Sequence, residues 1–190
     1  MLIRGRLPEG GVAIIGSRTP PPEAERFAYE LAKALGEPIV AGLAPGIDAA
    51  AHRGALAGNI PTVAFVGHGF GATDPPDLAE LEAAIVARGG AVATLLPPGT
   101  AATAQSRIDR DRLQAEYSRA IVLVCSESDG GAMYTMRFAA ELAKTRFAVT
   151  PPSDEQIWAG NRACLEEGAL PLPLDAQAAR LKIRGDRDVE

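Results

Sequence analysis

The chain has 190 residues, of which 47% are hydrophobic and 5% aromatic, and its formal net charge at pH 7 is -5. This length suits one domain with a substantial core, and the composition excludes collagen-like, fibrous and disordered proteins. An acidic net charge argues against a protein that coats nucleic acid non-specifically, although it leaves room for a local basic site.

Cysteine usage and hydropathy indicate the compartment. The two cysteines, Cys125 and Cys164, cannot supply a disulfide framework or a four-cysteine zinc site. The N-terminus lacks the apolar core of a signal peptide, and no apolar run approaches the ~20 residues that span a bilayer. We therefore expect a soluble protein of a reducing cytoplasm with no membrane partner.

Apolar runs that end in small-residue turns alternate with helical patterns along most of the chain. The helix predicted over residues 23–35 carries Phe27, Leu31 and Leu35 on one face, and residues 78–86 show similar spacing. This alternation predicts an α/β fold, with a doubly wound, mainly parallel sheet and helices on both faces. The predicted strands are residues 12–16, 38–43, 62–67, 91–96, 120–125 and 147–150.

Loops and termini complete the predicted organisation. Pro20, Pro21 and Pro22 delay the first helix and leave residues 17–20 as a loop. Residues 97–106 are predicted to form a flexible or lid-like loop. One domain is expected over residues 1–172, followed by a charged tail over residues 173–190 whose last dozen residues are predicted to be disordered.

Two small-residue turns have the residue types of an anion site, and in open α/β sheets ligands bind at the carboxyl ends of the strands. Gly16-Ser17-Arg18 supplies a tight turn, a hydroxyl and a guanidinium that can donate two hydrogen bonds to phosphate. Gly46 begins a helix whose free N–H groups suit an anion. Asp48 is either a helix cap or a ligand contact. His52, one turn later, is either a packed, hydrogen-bonded residue or a ligand contact.

Other candidate residues have two interpretations each. Arg107, Arg110, Arg112 and Arg119 lie within thirteen residues. These arginines either bind phosphate or form a solvated helix face, because neighbouring carboxylates could pair with them at the surface. Trp158 either stacks a base or covers the sheet edge. His68, in a glycine turn, is predicted to be exposed, and the spacing of its neighbours does not favour a metal site.

The motifs together resemble the Rossmann-like domain of DNA-processing protein A, also called Smf. This family falls in a superfamily that also contains the LOG-type phosphoribohydrolases. The resemblance extends over about residues 10–172, in the family's order. It rests on Gly16-Ser17-Arg18, the run from Gly42 to Leu56, Gly67-His68-Gly69, Pro97-Pro98-Gly99-Thr100, residues 110–113, Gly130-Gly131 with Thr135, and Gly160-Asn161-Arg162.

The resemblance implies a non-enzymatic protein that binds single-stranded DNA, with no metal or other cofactor. It also implies protection of the strand or assistance in loading a RecA-type recombinase, a role in transformation, and a homodimer. By motif position, Arg18 and Arg110 would contact phosphate. The full phosphate-binding set implied by the motifs is Gly16, Ser17, Arg18, Gly42, Gly46, Asp48, His52, Gly67, Gly69, Arg110, Arg112, Gly130, Gly131 and Thr135.

The chain departs from the family's pattern at three motifs. One is residues 131–135, which are Gly-Ala-Met-Tyr-Thr where the family usually has Gly-Ser-Leu-x-Thr. Residues 110–116 are Arg-Asp-Arg-Leu-Gln-Ala-Glu where the family usually has Arg-Asn-Arg-Ile-Ile-Ala-Gly, so two carboxylates enter a segment expected near DNA. The usual Gly-Ser-Gly-Leu turn is Gly-His-Gly-Phe at residues 67–70.

Two other functions are possible interpretations of a Rossmann-like domain with these turns. The alternative is a nucleotide-binding sensor or a LOG-like nucleoside-phosphate hydrolase, which would use the same helix N-termini. Residues 129–134 preserve only the two central glycines of the LOG motif, and Arg137 or Phe138 stands where its glutamate is expected. A dinucleotide dehydrogenase is disfavoured because Gly-x-Gly-x-x-Gly does not follow the first strand.

Overall fold

One eight-stranded sheet organises the computed structural model, which describes residues 1–73 and 78–187. Its strands are β1 (Leu2–Gly5), β2 (Val12–Ile15), β3 (Ile39–Ala41), β4 (Thr62–Val66), β5 (Ala91–Thr94), β6 (Ala120–Leu123), β7 (Thr145–Val149) and β8 (Leu170–Leu172). The α-helices are α1 (Pro22–Ala34), α2 (Ile47–Ala57), α3 (Ala79–Ala87), α4 (Ala104–Tyr117), α5 (Ala132–Glu141), α6 (Ala159–Glu166) and α7 (Ala176–Arg187), and a short 3-10 helix (Gln156–Trp158) precedes α6. No helix within the described residues is long and apolar enough to cross a bilayer.

The sheet has the strand order β1-β5-β4-β3-β2-β6-β7-β8. All neighbours pair in parallel except β1, which pairs antiparallel with β5 at one edge. The predicted fold class and all six predicted strands are confirmed. Each of the six ends one or two residues earlier than predicted, because the residues that follow already belong to the loop after the strand.

Both faces of the sheet are covered by helices, as the alternation of strands and helices predicts. Val12 and Ile14 of β2 pack into a core that includes buried side chains of α1, α2 and α7. Ala13 and Ile15, on the opposite face, pack with α4, α5 and α6. Successive side chains of a strand point to opposite faces. Because both faces are covered, every residue of β2 is buried and its sequence is a continuous apolar run.

The sequence predictions are incomplete or wrong near the two ends of the chain. The short outer strands β1 and β8 were missed, since four and three residues leave almost no periodicity. The last dozen residues were predicted to be disordered, and this is wrong for residues 179–187, which belong to α7. This helix is held in place because its buried Ala179 and Ile183, one helical turn apart, pack into the core. Residues 188–190 lie outside the described residues.

The predicted loop over residues 97–106 is too long by three residues, because α4 begins at Ala104. Thr103 and Ser106 form a capping box: the Ser106 N–H donates to the Thr103 hydroxyl at 3.0 Å, and the Thr103 N–H donates to the Ser106 hydroxyl at 2.8 Å. The Ser106 hydroxyl lies 2.6 Å from the Gly67 carbonyl oxygen, to which it donates. This contact fixes the start of α4 against the turn after β4.

The strand order creates a switch point between β2 and β6. From β2 the chain continues to β3 on one side, whereas β6 lies on the other side. The loops that follow β2 and β6 therefore diverge and leave a crevice at the carboxyl edge of the sheet, which is where open α/β sheets bind ligands.

Close packing of α1 on α2 depends on Gly54, because a Cβ there would overlap the Tyr29 carbonyl oxygen. We expect Gly54→Ala to lower the free energy of unfolding by about 2 kcal/mol, measured by urea denaturation. Gly185→Ala in α7 is the control, since a Cβ there meets no atom within 4 Å. The control should raise stability by about 0.5–1 kcal/mol. A Gly54→Ala protein as stable as wild type would contradict this packing.

Candidate nucleic-acid interface

Two cavities open at the carboxyl edge of the sheet. The larger, about 450 Å³, lies at the switch point between the loops after β2 and β6 and is lined on one side by α4. We call it the switch-point cavity; its polar floor consists of Asp48, Asp111, Gln114 and Thr135. The smaller, about 310 Å³, is lined by residues 43–45, the end of β4, Gly67 and His68. We call it the β4 cavity.

The structure brings most of the predicted phosphate-binding set to these cavities. Gly67 lines the β4 cavity, and Arg18 and Arg110 line both. Five predicted residues line neither: Gly42, Gly46, His52, Gly69 and Arg112. The switch-point cavity is lined by Gly16, Ser17, Arg18, Asp48, Arg110, Gly130, Gly131 and Thr135.

Three arginines stand between the two cavities. Arg18, in the loop after β2, is exposed, and within residues 1–73 and 78–187 its side chain forms no hydrogen bond or ion pair. Arg107 lies one turn before Arg110 on α4 and also lines both cavities. Arg107 belongs to the arginine cluster but not to the predicted phosphate-binding set, although its i, i+3 spacing to Arg110 places both on one helix face.

Arg110 is turned inward, with 14% of its side chain exposed. Its Nη1 donates to the Gln114 Oε1 at 2.7 Å, and its Nε lies 3.3 Å from the Asp111 carboxylate. Its Nη2 lies 3.9 Å from the Asp48 carboxylate. A Cβ on Gly42 would overlap this guanidinium, so Gly42 leaves room for Arg110 instead of approaching a ligand.

The two carboxylates beneath Arg110 are hard to ionise. Burial raises the pKa of Asp111 to about 6, against the opposing effect of Arg110. The neighbouring Asp48 raises the Asp111 pKa further, and a hydrogen bond from Thr135 lowers it. Burial also raises the pKa of Asp48, which accepts a hydrogen bond from the Ala44 N–H at 3.3 Å. Asp48 lines the cavity and is not the cap of α2, a position that Gly46 occupies.

Of the two interpretations of His52, the structure shows the packed, hydrogen-bonded residue and not the ligand contact. The ring is fully buried, with Nε2 2.6 Å from the Gly42 carbonyl oxygen and Nδ1 2.7 Å from the Thr62 hydroxyl. Burial lowers the His52 pKa to about 4, so the ring is neutral at pH 7. Because a carbonyl only accepts, Nε2 carries the proton. His52 therefore fixes α2 against β3 and β4.

Gly46 and Gly69 approach the protein's own backbone. At Gly46 the backbone has φ of 77°, and a Cβ would collide with the carbonyl oxygens of Ser17 and Arg18. The next residue, Ile47, donates its N–H to the Ser17 carbonyl at 3.1 Å, so the first turn of α2 supports the Ser17-Arg18 loop. A Cβ on Gly69 would overlap the Pro97 carbonyl oxygen. These glycines position the site without lining it.

The structure shows the surroundings of three further candidates, Arg112, Trp158 and His68. Arg112 lies on the exposed face of α4, 3.1 Å from the Glu141 carboxylate and 4.5 Å from the Phe138 ring centre. Trp158 is 1% exposed within the core and is not placed to stack a base. His68 is 2% exposed, which contradicts its predicted exposure, because its turn is covered by the segments around Pro97 and α4.

Asn161 is a positioning residue for the loop after β6. Its amide nitrogen donates to the Val124 and Val149 carbonyls at 3.0 and 2.9 Å, and its Oδ1 accepts from the Ser126 N–H at 3.1 Å. A fully buried amide thus joins the ends of β6 and β7. The Gly160-Asn161-Arg162 motif contains this residue, but its sequence does not indicate the role of the amide.

The raised pKa of Asp111 predicts a pH-dependent stability. The folded protein holds this proton more tightly than the unfolded chain, so stability rises as pH falls through about 6. With a pKa of 3.8 in the unfolded chain, the contribution between pH 8 and pH 5 is about 1.4 kcal/mol. Asp111→Asn should remove this contribution in urea unfolding at both pH values, whereas Asp109→Asn, an exposed carboxylate on the same helix, should retain it. Identical pH profiles for the two variants would refute the assignment.

Comparison with known proteins gives the family. The family model described as DNA recombination-mediator protein A matches residues 3–180 of the chain. Protein Smf of Synechocystis sp. is 30% identical over 204 residues, covering 98% of this chain and 50% of that protein. A putative DNA processing protein DprA of Mycobacterium tuberculosis is 35% identical over 160 residues, covering 83% of this chain and 41% of that protein. The chain thus spans half or less of the length of these relatives.

Solved structures show the same fold. DNA processing protein A of Helicobacter pylori, described with a single-stranded DNA binding mode, superposes with a TM-score of 0.85 at 23% identity, over 97% of this chain and 86% of that one. DNA processing protein A of Streptococcus pneumoniae superposes with a TM-score of 0.83 at 24% identity, over 93% of this chain and 63% of that one. The molybdenum cofactor carrier protein of Chlamydomonas reinhardtii superposes with a TM-score of 0.63 at 16% identity, over 93% of this chain and 97% of that one. Fold, motifs and sequence match agree: the chain belongs to the DNA recombination-mediator protein A family, that of the DNA-processing and Smf proteins.

Proposed function

We propose that the protein binds single-stranded DNA at the carboxyl edge of its sheet, without catalysing a reaction, and that it protects the strand or assists a recombinase in loading onto it. Family membership supports this proposal, as does the single-stranded DNA binding described for the Helicobacter pylori relative. The observation that carries it is the position of Arg18, Arg107 and Arg110 between two cavities at the switch point.

The charge distribution favours a short, local contact with the DNA backbone. The net charge of -5 makes non-specific coating unfavourable, so attraction for phosphate must come from the arginines at the cavity rim. Arg110 is mostly buried and lies beside Asp48 and Asp111, which leaves the exposed Arg18 as the guanidinium best placed to bind phosphate with two donors. Its loop is held by the backbone of Gly46 and Ile47, so little ordering is needed on binding.

A nucleotide-sized ligand is the second candidate. A cavity of about 450 Å³ falls within the range that holds small ligands. Hydrolysis of a nucleoside phosphate has less support, because the glutamate of the LOG motif is missing: Arg137 is exposed at that position and Phe138 packs beside Arg112. Release of free base from nucleoside monophosphates would favour this candidate.

Replacing Arg18 should weaken DNA binding through the loss of a phosphate contact. For Arg18→Ala we expect weaker binding of labelled oligo-dT in fluorescence anisotropy. The slope of log K against log salt should also fall by about 0.7, the value for one phosphate contact on a single strand.

Arg88→Ala is the matched control. Arg88 is also exposed, but it follows α3, just before β5 begins, and so lies at the opposite edge of the sheet. The control should bind like wild type with the same salt slope. Unchanged binding by a folded Arg18→Ala protein, or an equal loss in both variants, would refute the proposed site.

A further inference from the structure

The β4 cavity has cationic side chains in its lining and, among the described residues, no carboxylate. Arg18 reaches it from the loop after β2, and Arg107 and Arg110 reach it from α4. His68 is the other polar residue that lines it, and the remaining lining residues are apolar. The floor of the switch-point cavity, in contrast, contains buried carboxylates. Of the two cavities, the β4 cavity is therefore the better place for an anion with more than one negative charge.

One ring nitrogen at the wall of this cavity has no partner. His68 is 2% exposed, and its Nδ1 lies 3.1 Å from the Gly69 carbonyl oxygen. Because a carbonyl only accepts, Nδ1 carries the proton of the neutral ring and Nε2 is left as an acceptor. Nε2 is shielded from solvent and has no hydrogen-bond partner within residues 1–73 and 78–187. Buried polar groups without a partner are rare, so Nε2 indicates a donor that a ligand supplies.

The backbone around His68 holds the ring in place before any ligand binds. Its carbonyl oxygen accepts from the Thr94 hydroxyl, at the end of β5, at 2.7 Å. The next residue, Gly69, donates its N–H to the Thr100 carbonyl at 2.8 Å. Little conformational entropy is therefore lost on binding. The family's usual Gly-Ser-Gly-Leu turn has serine at this position, so the imidazole is a feature of this chain.

Guanidinium groups beside a neutral acceptor distinguish between anions. A phosphodiester has one negative charge and no P–O–H group, so it cannot donate to Nε2. Sulfate has two negative charges but holds no proton at neutral pH. A phosphate monoester has a second proton, which dissociates with a pKa of about 6, and inorganic phosphate has the same kind of group. The monoprotonated form offers unprotonated oxygens to arginines and a hydroxyl to Nε2.

We propose that the β4 cavity binds a phosphate monoester, with Arg18 and Arg107 contacting its unprotonated oxygens and the His68 Nε2 accepting a hydrogen bond from its P–O–H group. We call this the monoester site. Its volume of about 310 Å³ falls at the lower end of the range for small-ligand cavities. Because Arg18 and Arg110 line both cavities, a strand that crosses the arginine rim can place a phosphorylated end here. The inference does not require the proposed function, since a free phosphate group would meet the same side chains.

Inorganic phosphate is the first probe, and sulfate is its matched control because both anions are tetrahedral. In isothermal titration calorimetry at neutral pH, we expect wild type to bind phosphate about tenfold more tightly than sulfate, since only phosphate donates to Nε2. His68→Ser introduces the residue that the family usually has and should abolish this preference without weakening sulfate binding. Equal binding of the two anions by wild type, or a preference that persists in His68→Ser, overturns the proposal.

A pair of arginine variants tests the cationic side of the monoester site. Arg107 lines the β4 cavity, whereas Arg112 lies on the exposed face of the same helix and is the matched control. Arg107→Ala should weaken phosphate binding about tenfold, because a charged hydrogen bond is lost. Arg112→Ala should bind phosphate like wild type. An equal loss in both variants, or no loss in a folded Arg107→Ala protein, contradicts the proposed site.

Strands with and without a terminal phosphate identify the source of the monoester. The probes for fluorescence anisotropy are oligo-dT with a phosphate at either end and a strand one nucleotide longer that ends in hydroxyl groups. The longer strand has the same number of phosphate groups, all of them phosphodiesters. Tighter binding of a phosphorylated strand by about tenfold, lost in His68→Ser, assigns the monoester site to a strand terminus. Preference for phosphate over sulfate without preference for a phosphorylated strand assigns it to a free phosphate group.

The outcomes separate this inference from the proposed function. Binding of oligo-dT by a protein that does not prefer phosphate to sulfate overturns the monoester site and leaves strand binding intact. Preference for phosphate by a protein that binds no strand overturns the proposed function and supports the monoester site.

Discussion

Arg110 places a permanent positive charge inside the carboxyl edge of the sheet, and the geometry of the site depends on how that charge is held. Its contacts with Asp48, Asp111 and Gln114 join α4 to the start of α2, in space that Gly42 leaves open. A guanidinium cannot give up its proton inside a protein, so the buried carboxylates are needed to offset it. The same contacts fix the Gln114 amide and leave its donor directed away from Arg110.

The result is a site with two parts of different chemistry. The rim carries cationic groups that suit a phosphodiester backbone, whereas the floor pairs an amide donor with a carboxylate that repels phosphate. The strand order allows this arrangement, because the loops after β2 and β6 diverge and α4 closes the crevice between them. Most supporting residues never touch the cavities: Gly46 holds the Arg18 loop and Asn161 holds the loop after β6.

Much of the fold was predictable, and the errors have physical causes. Buried parallel strands give continuous apolar runs, so all six inner strands were found, while the exposed residues of β1 left no pattern. The site was predicted only in part because a motif does not show which face of a helix turns inward. The helical period of α4 places residues 107, 110, 111 and 114 on one face and residue 112 on another. A site predicted from this period would contain Arg107 and Gln114 in place of Arg112. Burial of His68 and Trp158 depends on segments distant in sequence, which no local pattern contains.

The central claim is that one strand of DNA binds across the arginine rim at the carboxyl edge of the sheet. A crystal structure of the protein with a short oligonucleotide tests it most directly. The account predicts a phosphate within hydrogen-bond distance of the Arg18 guanidinium. A strand bound on another face, or a phosphate resting on the floor beside Asp111, would contradict it.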